Sequence, residues 1–231
     1  MEATEVRKLA ELEDHHWWYA ERRHLLAAAL RGVHPGTALD VGAAGGGNTR
    51  VLKHLAWRAC ALEYGADGAE VAAGRGLSVL RGDATALPVR SSSVDLVVAF
   101  DVLEHIQDDH RAAAEMFRVL RPGALLLVAV PCDPKLWSAH DEAVDHVRRY
   151  TRPTLSSLLT DSGFRIQSMT SWNVLLRPVV AMRRKAATGS DLEELPRAVN
   201  ACLRGVIAAE RYLPVKQLPG VSLLATARRP A

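Results

Sequence analysis

Two rhythms of apolar residues alternate along the chain. Short, nearly unbroken apolar runs occur at residues 38–41, 59–62, 77–80, 94–100 and 124–130. Between them, residues 50–55, 69–74 and 111–120 repeat apolar positions at helical spacing. An unbroken run suits a parallel strand covered on both faces, and strands alternating with helices predict a doubly wound sheet. Residues 154–160 add a helix closed by Asp161-Ser162-Gly163, residues 164–171 a sixth strand and residues 221–227 a last one. The expected fold class is therefore α/β, with a doubly wound, mostly parallel seven-stranded sheet.

The ends of this pattern carry further helices. Residues 1–32 read as helical, with Leu9, Leu12, Leu25, Leu26 and Leu30 among charges, closed by Gly32 and Pro35. Inside lies His15-His16-Trp17-Trp18-Tyr19, then Arg22 and Arg23; on a helix His16, Tyr19 and Arg23 share a face. The tryptophans either anchor this helix or help cover a ligand. Before the last strand, residues 174–182 are apolar and run into Arg183-Arg184-Lys185, and residues 203–212 suggest a second helix. The expected division is an N-terminal helical cap (1–35), a core (36–172 and 217–229) and a helical insertion (173–216). That insertion suits a lid or a homodimer surface better than a membrane contact, with Gly189-Ser190-Asp191 as its mobile tip.

Composition narrows the classes. Hydrophobic residues make up 48% of the 231 and charged ones 24%, as in an ordinary globular chain. A net charge of +3, without a basic stripe interleaved with aromatics, gives no ground for a nucleic-acid partner. Cys60, Cys132 and Cys202 are far apart, with neither disulfide nor metal-ligand spacing, and no metal is expected. The charged stretch 2–13 is unlike a signal peptide, and no apolar run is long enough to span a bilayer, so a cytoplasmic location is expected.

The chemistry begins at residues 38–49, where an apolar run ending in Asp40-Val41-Gly42 passes through Gly45, Gly46 and Gly47 into a helix. Glycines at such a turn let a ligand lie against backbone, and the helix start offers free N–H groups. Glu63 ends the second run 23 positions after Asp40, near the offset at which dinucleotide folds place an acid on ribose hydroxyls. Asp83 follows the third run, where an adenine amino group could donate to it. Asp101-Val102-Leu103-Glu104-His105 follows the fourth.

Taken in order, Asp40-Val41-Gly42-x-x-x-Gly46, Glu63, Asp83-Ala84, the 94–100 strand and Leu120-Arg121-Pro122-Gly123-Ala124 resemble the motifs of class I S-adenosylmethionine-dependent methyltransferases. The resemblance covers about residues 36–172. It implies a Rossmann-like methyltransferase fold with an antiparallel last strand and a cofactor site made of Asp40, Gly42, Ala44, Gly46, Glu63, Tyr64, Asp83, Ala84 and Phe100. S-adenosylhomocysteine would be the product. Ala44 stands where the family has a glycine, a small intrusion that the neighbouring glycines should tolerate. His16 to Tyr19, and His140-Asp141 through His146, Arg148, Arg149 and Tyr150, resemble a bacterial subgroup of that family.

The acceptor side is expected in the polar, aromatic segment 131–150 that leaves the fifth strand. Histidine titrates near neutral pH, so His140 and His146, and after them His105, are the candidate bases for an acceptor that must lose a proton. His16, Trp17, Tyr19, Arg23, Trp137, Arg148, Arg149 and Tyr150 are the expected acceptor contacts. Arg148 and Arg149, with Arg22 and Arg23, suit a carboxylate or phosphate on a small molecule. Methylation at O or N is left open. The rival readings are a nicotinamide oxidoreductase, a peptide or lipid-linked sugar acceptor, and a cofactor-binding protein without catalysis.

Overall fold

The computed structural model describes residues 10–186 and 195–231. Among them lies one sheet of seven strands: β1 (Thr37–Val41), β2 (Arg58–Glu63), β3 (Ser78–Arg81), β4 (Val94–Phe100), β5 (Leu120–Pro131), β6 (Arg165–Trp172) and β7 (Ser222–Arg228). Their order is β3-β2-β1-β4-β5-β7-β6. Neighbours pair in parallel except β7, which runs antiparallel to both β5 and β6. The order reverses between β1 and β4, the switch point at which open α/β sheets leave a crevice beyond the strands' carboxyl ends.

The buried run of β4 alternates between two cores. Val97 and Ala99 join Leu39, Leu126, Met116 and Leu159 on one face, and Leu96 and Val98 join Leu127, Leu26 and Leu52 on the other. The first face is covered by α4 (Asp109–Val119) and α6 (Arg152–Asp161), the second by α1 (Trp17–Ala29) and α2 (Gly47–His54). Helix α3 (Ala66–Gly74) joins β2 to β3, and the short α5 (Ala139–Ala143) follows β5.

Two departures from the expected boundaries shape the site, while the last helix of the insertion starts six residues earlier than expected, at Arg197. The N-terminal helix breaks at His16, whose extended backbone and side chain cap α1 by accepting from the Trp18 N–H. Leu120-Arg121-Pro122-Gly123 begins β5 instead of forming a turn outside it. A register shift in its pairing with β4, with Gly123 at φ +80°, absorbs the proline.

The insertion holds α7 (Arg177–Ala186) and α8 (Arg197–Glu210). Leu176 and Ile207 pack with Trp17 and against Trp18. Asn200 accepts from the Trp17 N–H at 2.8 Å, and Arg211 pairs with Glu21. Val179, Met182 and Tyr212 are exposed. The expected tip Gly189-Ser190-Asp191 lies outside the described residues. No helix among those described is long and apolar enough to cross a membrane.

Candidate active site

A cavity of about 880 Å³ opens at the carboxyl ends of β1, β2, β4 and β5, within the ~300–1,000 Å³ range of small-molecule sites. Gly42, Ala44, Glu63, Tyr64, Asp83, Ala84 and Phe100 line it, and so do His16, Trp17, Tyr19, His105, His140, His146 and Arg149.

At one end the β1–α2 turn forms the floor. Gly42 has φ +65°, and a Cβ there would meet Val102 at 2.4 Å; at Gly46, with φ +81°, it would meet Leu77 at 2.2 Å. Only glycine fits either place. Ala44 adopts φ +46°, so its difficulty is a left-handed backbone, costing about 1 kcal/mol, more than its methyl group. Its N–H donates to Glu63 Oε2 at 2.7 Å, and the Gly65 N–H approaches Oε1 at 3.4 Å. The Glu63 carboxylate is thereby held at the end of β2, facing the turn. Asp83 Oδ1 accepts from the N–H and hydroxyl of Thr85 at 2.7 and 2.8 Å, bonds that hold its carboxyl below the ordinary range. Arg75 donates to Gly45 O, Ala10 O and Glu13, tying the helical turn 10–15 over the loop.

Asp40 and Gly46 do not line the cavity. Asp40 is buried behind the turn, where its Oδ2 accepts from the Thr49 hydroxyl at 2.6 Å and Oδ1 has no partner. Burial pushes its pKa up from 3.8 to about 7. A carboxyl whose pKa is raised by folding adds stability below its unfolded pKa and loses it as pH rises through the folded one. Relative to Asp40→Asn, the wild type should therefore lose up to about 4 kcal/mol of unfolding free energy between pH 4 and pH 8. Urea denaturation across that range checks this; a constant difference contradicts it.

The other end of the cavity is built by α1, the segment after β4 and the segment after β5. Four expected acceptor contacts fall outside its wall. Arg23 turns back to Glu13 O at 2.5 Å, because with His16 as cap it is Tyr19 and Arg22, three apart, that share the inner face. Arg22 pairs with Asp101 at 2.9 Å and donates to Phe100 O at 3.0 Å. Trp137 lies on the surface. Arg148 pairs with Asp109 at 2.5 Å, and the buried Tyr150 donates its hydroxyl to the same carboxylate at 2.6 Å. Arg149 does reach the wall, yet its guanidinium is buried on Asp141, Nε to Oδ1 at 2.7 Å, and on Cys132 O at 3.0 Å. It serves as a strut of this wall.

The three histidines come together. The His105 and His146 rings are 4.8 Å apart and those of His140 and His146 6.2 Å. Desolvation by the surrounding cavity wall, with His146 nearby, lowers the His105 pKa, although the side chain keeps a solvent-exposed edge. Glu104 was not among the expected site residues, although an acid next to a histidine at a strand end was a signal. It is fully buried in the cavity wall, neither carboxylate oxygen has a hydrogen-bond partner, and burial beside Asp101 pushes its pKa well up. Val180, Arg183, Arg184 and Leu203 of the insertion also line the cavity. Their marks in the sequence were an apolar run ending in arginines and, for Leu203, the start of the second helix expected at 203–212.

Residues 39–128 match the model of a family described as a methyltransferase domain. A protein of Mycolicibacterium smegmatis named "Probable S-adenosylmethionine-dependent methyltransferase" is 28% identical over 170 residues, 71% of this chain and 65% of that protein. One of the same description from Mycobacterium tuberculosis is 28% identical over 70% of this chain and 60% of its own length. The chain thus spans somewhat under two thirds of these relatives. Among solved structures, a chain from the Haloferax volcanii complex of the Trm112 methyltransferase activator with a methyltransferase superposes with a TM-score of 0.67 at 22% identity, covering 99% of this chain and 96% of that one. Residues 39–128 thus form a methyltransferase domain, and the chain as a whole is similar in sequence and in fold to S-adenosylmethionine-dependent methyltransferases.

Proposed function

We propose that the chain transfers a methyl group to an oxygen or nitrogen of a small, anionic molecule. The observation that carries this reading is one cavity with a glycine turn and Glu63 at one end and a histidine and arginine wall at the other. Bound at the first end, S-adenosylmethionine would supply an electrophilic sulfonium methyl for direct displacement. The Glu63 carboxylate is suited to accept from both ribose hydroxyls, and Asp83 and Ala84 flank the adenine end. Gly42 and Ala44 border the methionine end. Asp40 and Gly46 act from behind by fixing the turn. The resemblance and the cofactor acids speak against a nicotinamide oxidoreductase: Asp40 two residues before Gly42, Asp83, and the Leu120-Arg121-Pro122-Gly123 stretch fit the methyltransferase pattern.

In a direct displacement the chain's main contribution is to hold the reacting groups in line and keep water out. Trp17 and Tyr19 from α1, with Leu176, Val180 and Leu203 of the insertion, close the acceptor end, so the insertion is read as its lid. His140, His146 and His105 line the place where an acceptor proton would leave. The anion-binding role passes from Arg148 and Arg23 to Arg183 and Arg184, which line the cavity beside Arg22 and Arg149. A reducing, cytoplasmic setting suits the thiols of Cys60, Cys132 and Cys202.

The test is transfer of labelled methyl from S-adenosylmethionine into a fractionated cell extract. Label in the small, anion-exchanging fraction is expected. Label confined to protein or lipid-linked material would contradict the small-molecule acceptor.

A further inference from the structure

Outside the cofactor end, the Glu104 carboxylate stands out among the described residues. A buried acid is normally paired or hydrogen-bonded. This one is completely buried, and both its oxygens lack a hydrogen-bond partner. The two guanidiniums whose charge acts on it, Arg22 and Arg149, pair directly with Asp101 and Asp141 and make no hydrogen bond to it. What does stand beside it is imidazole. His146 Nε2 lies 3.8 Å from Glu104 Oε1, and one ligand atom each from Glu104, His105 and His146 fall within 4.8 Å of one another.

Both rings are oriented by their other nitrogen. His146 Nδ1 is 2.8 Å from Asp141 Oδ1, and that carboxylate is itself fixed by Arg149 and by the Ser138 N–H. His105 Nδ1 is 3.3 Å from the Asp145 carbonyl. An acceptor at Nδ1 fixes the proton there and leaves the Nε2 lone pair available, the outer-shell arrangement typical of metal-binding histidines. Two imidazoles and a carboxylate form a ligand set for a first-row divalent cation, and three protein ligands leave positions open for substrate.

We propose that Glu104, His105 and His146 form a divalent-cation site in the cavity wall, a site for zinc or a similar ion with its open coordination positions toward the cavity. Bonds of about 2.0–2.2 Å in a tetrahedral site would bring the ligand atoms to roughly 3.3–3.6 Å from one another, a modest closure from their present spread. The exposed His105 side chain is the one able to supply it. The cation would bind the two Glu104 oxygens that no protein donor hydrogen-bonds and compensate the carboxylate charge. Resting on the methyl-transfer reading, its service would be to hold an acceptor oxygen and ease loss of its proton to a neighbouring base.

The test uses the full chain, stripped with a chelator and titrated with Co²⁺ and Zn²⁺ in the absence of S-adenosylmethionine. Calorimetry and the visible spectrum of bound Co²⁺ are the readouts. One site per chain is expected, with a spectrum showing nitrogen and oxygen ligands. His105→Ala, at an exposed position, and Glu104→Gln, of unchanged volume, should each weaken it by more than the ~10–100-fold that loss of an outer-shell partner costs. Absence of binding by the wild type, or binding unaltered in both variants, would overturn the proposal. Because no cofactor is present, failure here leaves the methyl-transfer reading standing. Loss of S-adenosylmethionine binding with cation binding intact would do the reverse.

Discussion

Replacing Glu63 by alanine should weaken S-adenosylmethionine binding by two to three orders of magnitude while leaving the protein folded. The carboxylate stands at the end of β2, lines the cavity and is half-exposed, so little of the core depends on it. Two charge-assisted hydrogen bonds to ribose hydroxyls, at about 1.5–3 kcal/mol each, give a loss of at least ~3 kcal/mol, or more than a hundredfold in Kd. The substitution also removes the acceptor of the Ala44 N–H, releasing a residue held at φ +46°. Both effects act in the same direction. Calorimetric titration of the variant checks this, and an affinity within threefold of the wild type would mean that Glu63 does not hold the ribose.

The largest effect on stability is expected at Asp141. Its carboxylate is fully buried, as is the guanidinium of Arg149, and it also accepts from His146 and from the Ser138 N–H that starts α5. Asp141→Ala leaves Arg149 buried with its charge, which it cannot shed. Removing one member of a buried pair costs about 3–5 kcal/mol, equivalent to a fall in Tm of roughly 6–20 °C for a chain of this size. Thermal denaturation measures it directly. The double variant Asp141→Leu with Arg149→Met should recover much of the loss, since no unpaired charge is then left in the wall. A single variant as stable as the wild type would show that water reaches Arg149 and that this wall is open.

The sheet was legible because parallel strands covered on both faces leave an unmistakable apolar run: 94–100 was read correctly at both ends. Glu63 and Asp83 were legible because strand ends are predictable positions, and both line the cavity. Side-chain direction was harder to read. His16 caps α1 instead of continuing an earlier helix, which turns Arg22 inward and Arg23 outward. Arg148 and Arg149 are adjacent, yet one pairs with Asp109 outside the cavity wall and the other with Asp141 within it. Ala44 read as a question of volume and proved to be one of backbone conformation. That Glu104 has no hydrogen-bond partner depends on every element packed around it.

The central claim is that this cavity binds S-adenosylmethionine, and the most direct measurement is calorimetric titration of the wild-type protein with S-adenosylhomocysteine and, separately, with NADH. The account predicts saturable binding of S-adenosylhomocysteine at one site per chain and no heat from NADH. Binding of NADH with none of S-adenosylhomocysteine would contradict it and assign Glu63 to a nicotinamide cofactor.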